Sequence, residues 1–257
     1  MNAMPSLSDP IAMEVFSNRL LSITEDMGNT LIRSSFSTNI KERKDCSVGL
    51  FDGTGRLVAQ ASHIPLHLGS LMGSVKAVLQ ACPIERMREG DAFVCNDPFL
   101  AGGTHTPDIA VVTPVFIEGE PRYVAANVGH HSDVGGPTPG SISGGATTIF
   151  AEGLRIPVTQ LVRAGDLDEG LLNLIAQNSR EPEERVLDLK VQIASNERGA
   201  RLVQGLVAQM GLDAVIAATD DLLAYTARRL RNRIRDMADG SAAFTAFLDD
   251  DGDRTST

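Results

Sequence analysis

Residues 108–131 read DIAVVTPVFIEGEPRYVAANVGHH, and this stretch decides the fold. Its two runs of β-branched and apolar residues, at 108–117 and 123–128, predict two β-strands. The segment between them, 118–121, contains the Gly and Pro that favour a turn, so the two strands are predicted to form an antiparallel hairpin. Apolar runs on either side of the turn sequence at 52–56 predict a second hairpin. The middle of the chain is therefore predicted to be a mostly antiparallel β-sheet.

Helical patterns flank this sheet on both sides. Ser8 and Asp9 offer an N-cap acceptor, Pro10 suits the first helical position, and apolar residues then recur at helical spacing to about Ser34. Helical periodicity also covers residues 68–81, 171–178, 183–210 and 212–237. The predicted fold class is α+β, with an N-terminal helix, a central mostly antiparallel β-rich region with hairpins, and a helical C-terminal third.

These patterns divide the chain into three parts. Residues 1–165 form an α+β region, which also carries the candidate metal site described below. Residues 166–245 form a helical region. Residues 246–257 form an acidic tail that is predicted to be disordered, because it is too polar to fold by itself.

Composition excludes several classes of function. The 257 residues include 23 Lys and Arg against 33 Asp and Glu, a net charge of −10 that disfavours binding to nucleic acid. No apolar run reaches membrane-spanning length and the start does not resemble a signal peptide, so no membrane partner is predicted. The three cysteines lack CxxC spacing and are interpreted as free thiols in a reducing compartment, which predicts a cytoplasmic protein. No Gly-rich phosphate loop is found, so no nucleotide site is predicted on this chain.

The predicted hairpin brings a histidine and an aspartate together. In an antiparallel pair, the numbers of directly opposite residues add to a constant, here about 238 to 239 for a turn centred near Gly119–Glu120. Asp108 therefore lies opposite His130, and His105 can fold back over the same end of the sheet. Two imidazoles and a carboxylate in one place predict a divalent-metal site that is open to water or substrate. This donor set suits Zn, Mn or Fe and does not choose among them.

Other ionisable residues have more than one interpretation. Asp45 directly precedes a predicted strand, so it can either reach the cleft as a metal-related carboxylate or belong to a solvated charge run at 42–45. His131 points to the opposite face of the sheet if the strand continues, and inward if the strand ends two residues earlier. His63 and His67 fall in a predicted loop before a helix, and they are interpreted as ordinary structural histidines.

Several sequence motifs, taken in order along the chain, resemble those of a known family. They are STNIKERKDCS at 37–47, NDPF at 96–99 with GGTHTPD at 102–108, GHHSDVGG at 129–136, QNSR at 177–180, and residues 188–196. The chain resembles the hydantoinase B / oxoprolinase B family, which includes the B subunits of N-methylhydantoinase, 5-oxoprolinase and caprolactamase. The family is related to the large subunits of acetone and acetophenone carboxylases. Family B subunits are longer than this chain, so the resemblance covers their N-terminal half only.

The resemblance implies roles for individual residues. The implied ligands of a catalytic divalent metal are Asp45, His105, Asp108 and His130. Asp45 is alternatively a catalytic carboxylate, and His131 and Asp133 either orient the ligands or act as acid and base. In this family a separate A-type subunit uses ATP, so the resemblance places ATP on the partner and predicts a hetero-oligomer.

The predicted function follows from these roles. The chain is predicted to be the metal-bearing B component of an ATP-dependent cyclic amide hydrolase that opens a hydantoin, 5-oxoproline or lactam ring. One alternative is a large-subunit fragment of an ATP-dependent ketone carboxylase acting on acetone or acetophenone. Another is a non-catalytic scaffold subunit of such a complex.

Overall fold

The computed structural model describes residues 9–246, which form one seven-stranded sheet with helices on both faces. The strands are β1 (Cys46–Asp52), β2 (Leu57–Gln60), β3 (Ala92–Cys95), β4 (Asp108–Ile117), β5 (Glu120–His130), β6 (Thr159–Arg163) and β7 (Asp166–Leu167). The α-helices are α1 (Pro10–Ser34), α2 (Thr38–Lys41), α3 (Pro65–Ala81), α4 (Glu169–Gln177), α5 (Pro182–Met210) and α6 (Leu212–Arg235). The strand order is β2-β1-β5-β4-β3-β6-β7, with every neighbouring pair antiparallel. The predicted α+β class is confirmed.

Helix α1 begins as its sequence predicts. Asp9 is the N-cap residue, its side chain accepts the N–H of Ile11 at 3.0 Å, and Pro10 follows at the first helical position. The buried face of α1 then packs against the sheet and against α5. Gly199 of α5 allows the two helices to approach closely, because a Cβ atom at this position would collide with the side chain of Met27.

Alternation along β5 decides which side chains meet which helix. Val124, Ala126 and Val128 share a core with α3 on one face of the sheet. Ala125 lies in the core formed with α1, α5 and α6 on the other face. Successive side chains of a strand point to opposite faces, so His130 lies on the α3 face with the even-numbered residues.

The β4–β5 turn is tighter than the sequence predicts. Only Glu118 and Gly119 connect the two strands, with φ of 54° and 81°, which is the positive-φ pattern of a type I′ turn. Strand β5 continues through Pro121, because the pairing shifts by one residue between Val115 and Phe116 and such a bulge accommodates proline. The four-residue turn expected at 118–121 is therefore a two-residue turn followed by a bulge.

Helix α3 begins earlier than the predicted residue 68. It starts at Pro65, which occupies the first helical turn after Ile64 as N-cap. Proline suits this position because its missing N–H would have no helical partner there. The earlier start places His67 on the helix and not in a preceding loop. Strands β6 and β7 were not predicted.

The predicted helical region shares its core with the sheet. Val203, Leu206 and Val207 of α5 pack with residues of α1 and β1, so the division at 165/166 separates sequence patterns that share one core, and it stays a prediction. The predicted tail at 246–257 lies outside the described residues except for Ala246. Within residues 9–246 no single helix is long and apolar enough to cross a membrane, although α5 and α6, bent by 108°, meet that test as a pair.

The three free cysteines differ in accessibility, and we expect them to differ in reactivity. Cys46 and Cys95 are fully buried, whereas Cys82 is half-buried. Burial raises the pKa of Cys46 to about 12 and that of Cys95 to about 11, so neither forms a thiolate near neutral pH. In native protein at pH 8, a thiol reagent such as DTNB should modify Cys82 alone. The Cys82→Ser variant should lose that fast phase, and fast labelling of two or more thiols would contradict the expected burial.

Candidate metal centre

Three strands bring candidate ligands to one end of the sheet. Because β5 is antiparallel to both β1 and β4, the start of β1, the end of β5 and the start of β4 lie together. Asp108 pairs with His130 in the Cα register, which confirms the hairpin prediction. Asp45 directly precedes β1, and its main-chain carbonyl accepts the N–H of His130 at 2.9 Å. Residues distant in sequence thus lie close together at one end of the sheet.

Three side-chain donor atoms converge at this end of the sheet. Nε2 of His105 lies 3.0 Å from Oδ1 of Asp108 and 3.1 Å from Nδ1 of His130. Nδ1 of His130 lies 3.1 Å from the same Asp108 oxygen. Ligands held about 2.0 Å from a single ion are spaced about this far apart, so the donor set fits a divalent metal. Asp108 and His130 are buried, whereas the His105 side chain is 36% exposed and leaves the cluster open on one side.

Asp45 and His67 extend the cluster to five side chains. Nε2 of His67 lies 3.4 Å from Oδ1 of Asp45 and 3.5 Å from Oδ2 of Asp108. Oδ2 of Asp45 lies 3.9 Å from Nδ1 of His130. The sequence did not identify His67 as part of the cluster because the predicted helix began at residue 68. Pro65 marks the observed start of α3. His63 lies elsewhere, with its ring against Gly28 of α1.

Asp108 and His105 stabilise each other's charged forms. Burial alone would raise the pKa of Asp108, but hydrogen bonds with His105, His130 and Thr104 outweigh burial and lower it. The hydrogen bond with Asp108 raises the pKa of His105. A carboxylate whose charged form is stabilised, beside two imidazoles, is the donor set that intermediate divalent metals prefer.

The loop that carries His105 is fixed by its neighbours. The side-chain amide of Asn96 donates to the carbonyls of Thr106 and Leu154, at 2.6 and 2.9 Å. At the other end of the loop, Gly102 lies directly against Gly73 of α3, so close that a Cβ on either residue would meet the other's main chain. The phrases NDPF and GGTHTPD therefore hold His105 against α3 and the start of β4.

His131 lies on the opposite side of the sheet from the cluster. It is fully buried, and its Nε2 lies 2.9 Å from Oε1 of Gln192 on α5. Burial, together with the nearby Arg185 guanidinium, lowers the pKa of His131 well below its usual value. The predicted catalytic role of His131 stays a prediction, and these contacts favour a role in orienting the chain next to His130.

Asp133 holds the glycine-rich loop that follows β5. Its carboxylate accepts the main-chain N–H groups of Gly135, Gly140 and Arg180 and also the guanidinium of Arg180 at 2.8 Å. Burial alone would raise its pKa, but these donors lower it. Because four N–H donors already occupy its oxygens, this carboxylate is poorly placed to accept a proton as a catalytic base. Its predicted catalytic role stays a prediction, and its contacts favour anchoring of the loop.

The fold and the cluster together define a class of protein. It is an α+β protein with imidazole and carboxylate donors converging at one end of an antiparallel sheet, a composition that suits a divalent metal. The Hydantoinase B/oxoprolinase family matches residues 9–256, and the chain belongs to this family. The resemblance predicted from the motifs is confirmed.

Two relatives show how much of a longer protein this chain represents. A 5-oxoprolinase from Dictyostelium discoideum is 43% identical over 209 residues, which are 81% of this chain and 16% of that protein. The caprolactamase subunit beta from Pseudomonas jessenii is 35% identical over 244 residues, which are 95% of this chain and 42% of that protein. The chain thus spans less than half the length of either relative.

Solved structures share the fold. The crystal structure of the ATP-dependent caprolactamase from Pseudomonas jessenii superimposes with a TM-score of 0.83 at 34% identity, covering 90% of this chain and 40% of that chain. A nucleotide-free structure of acetone carboxylase superimposes with a TM-score of 0.77 at 24% identity, covering 83% of this chain and 28% of that chain. At that identity the second likeness shows the fold alone.

Proposed function

We propose that this chain is the metal-bearing B component of an ATP-dependent enzyme that opens cyclic amides. The observation that carries the proposal is the convergence of His105, Asp108 and His130, with Asp45 beside them, at one end of the sheet. The family supports it, because its members include proteins named 5-oxoprolinase and caprolactamase subunit beta. The substrate we propose is accordingly a hydantoin, 5-oxoproline or another lactam.

The residues of the cluster divide into ligands and their supports. Asp45, His105, Asp108 and His130 would hold the ion, which we propose to be Zn, Mn or Fe. When bound, such an ion supplies a Lewis acid and a water of lowered pKa. Nε2 of His67 lies within 3.5 Å of both carboxylates and orients them, and the hydroxyl of Thr104 donates to Asp108. The partly exposed His105 marks the side from which substrate reaches the cluster.

The proposed partner is an A-type subunit that binds and uses ATP. One relative is named as a subunit, and a structural neighbour is described as ATP-dependent. We therefore propose a cytoplasmic hetero-oligomer in which ATP is bound by the partner and not by this chain. The ketone carboxylase and scaffold alternatives have no specific contact in their favour, because the likeness to acetone carboxylase shows the fold alone.

A reconstituted complex tests the proposal. This chain would be assembled with its ATP-using partner, and ADP release and ring-opened product would be measured with 5-oxoproline, hydantoin, caprolactam and acetone. We expect ATP consumption that depends on a cyclic amide, and we expect His105→Ala to lower product formation at least about 100-fold, because a first metal ligand is lost. The matched control, His63→Ala, removes a histidine outside the cluster and should keep activity.

Two results would contradict the proposal. ATP consumption that depends on acetone and bicarbonate, with none on cyclic amides, would support the carboxylase alternative. Equal turnover by His105→Ala and the wild type would support the scaffold alternative.

A further inference from the structure

Helix α5 buries polar side chains in positions where apolar ones are usual. Five of them are fully buried, namely Arg185, Asp188, Gln192, Ser195 and Asn196. Burying a polar group costs free energy unless it is hydrogen-bonded, so the partners of these side chains indicate what the helix fixes in place.

The hydrogen bonds of Gln192 have a defined direction. Its side-chain nitrogen donates to the main-chain carbonyl of Ile109 at 2.8 Å and to Oδ1 of Asn127 at 2.9 Å. A carbonyl can only accept, so the Ile109 contact fixes which end of the amide is nitrogen. The oxygen of Gln192 therefore faces Nε2 of His131 at 2.9 Å, and His131 is the donor.

These two partners follow the two central ligands in the sequence. Ile109 is next to Asp108, and His131 is next to His130, in the strand pair whose register sets Asp108 opposite His130. Neighbouring positions of a strand face opposite sides, so Gln192 contacts the chain directly behind both ligands. The N–H of His131 also donates to the carbonyl of Pro107 at 2.9 Å, which ties the end of β5 to the start of β4.

We propose that Gln192 is a positioning residue that fixes the separation of Asp108 and His130 by bridging Ile109 and His131 behind them. The inference rests on the proposed metal centre. Gln192 and His131 are both fully buried and reach neither solvent nor substrate. Asn127 holds the bridge in turn, because its side-chain nitrogen donates to the main-chain carbonyl of Gln192 at 2.7 Å.

Metal-binding measurements on purified variants test this role. Gln192→Met keeps the length of the side chain and removes its three hydrogen bonds. We expect this variant to bind Zn²⁺ about 10- to 100-fold more weakly and to change the visible spectrum of bound Co²⁺, because residues behind metal ligands affect affinity by such factors. His131→Leu should act in the same way. His131→Gln places an amide N–H near the position of Nε2 and should restore the wild-type spectrum.

Ser195→Ala is the matched control. Ser195 is equally buried on the same helix, but its hydroxyl donates to the carbonyl of Met27 on α1 and not to the sheet behind the ligands. This variant should lower the free energy of unfolding while leaving Zn²⁺ affinity and the Co²⁺ spectrum unchanged.

The possible results separate the inference from the proposed function. Wild-type affinity and spectrum in both Gln192→Met and His131→Leu would overturn the positioning role while the metal centre stands. A wild-type chain that binds neither Zn²⁺ nor Co²⁺ would overturn both. If Gln192→Met does not fold, the comparison of His131→Gln with His131→Leu decides, and equal spectra in these two would overturn the role.

Discussion

Replacing His105 and Asp108 together by alanine should leave the protein without bound metal. After incubation with Zn²⁺, Mn²⁺ or Fe²⁺ and dialysis, we expect the wild type to retain about one ion per chain and the double variant almost none. The reason is geometric: Nε2 of His105 and Oδ1 of Asp108 lie 3.0 Å apart, and both lie 3.1 Å from Nδ1 of His130. Elemental analysis of the dialysed proteins measures the difference.

His63→Ala provides the control for this experiment. It removes a histidine that packs against Gly28 of α1 and lies away from the cluster, so the metal content should equal that of the wild type. A double variant that keeps the full metal content would show that the ion binds elsewhere. A wild type that retains none of Zn²⁺, Mn²⁺ and Fe²⁺ after dialysis would contradict the proposed metal centre itself.

Replacing Asp188 by leucine should destabilise the fold strongly. Asp188 is fully buried, lies 3.7 Å from the fully buried guanidinium of Arg185, and accepts the N–H of Phe36 at 2.7 Å. Its removal leaves the buried Arg185 guanidinium with the partly exposed Glu184 as its other carboxylate partner, and leaves the main-chain N–H groups of Phe36 and Ser37 without this acceptor. Breaking one side of a buried ion pair costs about 3–5 kcal/mol, and we expect a loss of that size in the free energy of unfolding. Urea denaturation followed by circular dichroism measures it.

Two further variants separate the buried pair from ordinary surface effects. Lys190→Ala lies on the same helix, but Lys190 forms an exposed pair with Glu169 and should change stability by less than about 0.5 kcal/mol. The double variant Arg185→Met/Asp188→Leu should recover much of the loss, because removing both charges leaves neither of them buried alone. A cost for Asp188→Leu as small as that for Lys190→Ala would show that Arg185 does not depend on this partner.

The central part of the site was predictable from the sequence because local rules fix a hairpin. The turn and the bulge beside it together set the register, and the register sets Asp108 opposite His130. The two-residue turn alone would give a constant of 237 and set Asp108 opposite Gly129, and the extra β5 residue of the bulge between Val115 and Phe116 raises the constant to 238. The predicted constant of about 238 to 239 gave the correct pairing because it assumed a turn centre one residue later than the observed one. The turn itself was predicted two residues too long, because Pro121 was interpreted as part of it.

The remaining parts of the candidate site depend on contacts that a single sequence does not reveal. His67 joins the cluster because α3 begins at Pro65, and a shift of three residues in a predicted helix start was enough to miss it. Gln192 was missed for a different reason. Helical periodicity identifies α5 as a helix, but a glutamine in that pattern gives no sign that it is buried against strands more than sixty residues away.

The pairing of Asp108 with His130 constrains the length of the chain between them. The 21 residues that separate them are distributed over two strands, a two-residue turn and one bulge. A single inserted or deleted residue would set Asp108 opposite a neighbour of His130, whose side chain points to the other face of the sheet. The segment can therefore diverge freely only at its few exposed positions around the turn, and an insertion or deletion within the strands keeps the pairing only with a second one that restores the register. Among distant homologues, the spacing between these two residues is a stricter criterion for a retained site than similarity of the sequence between them.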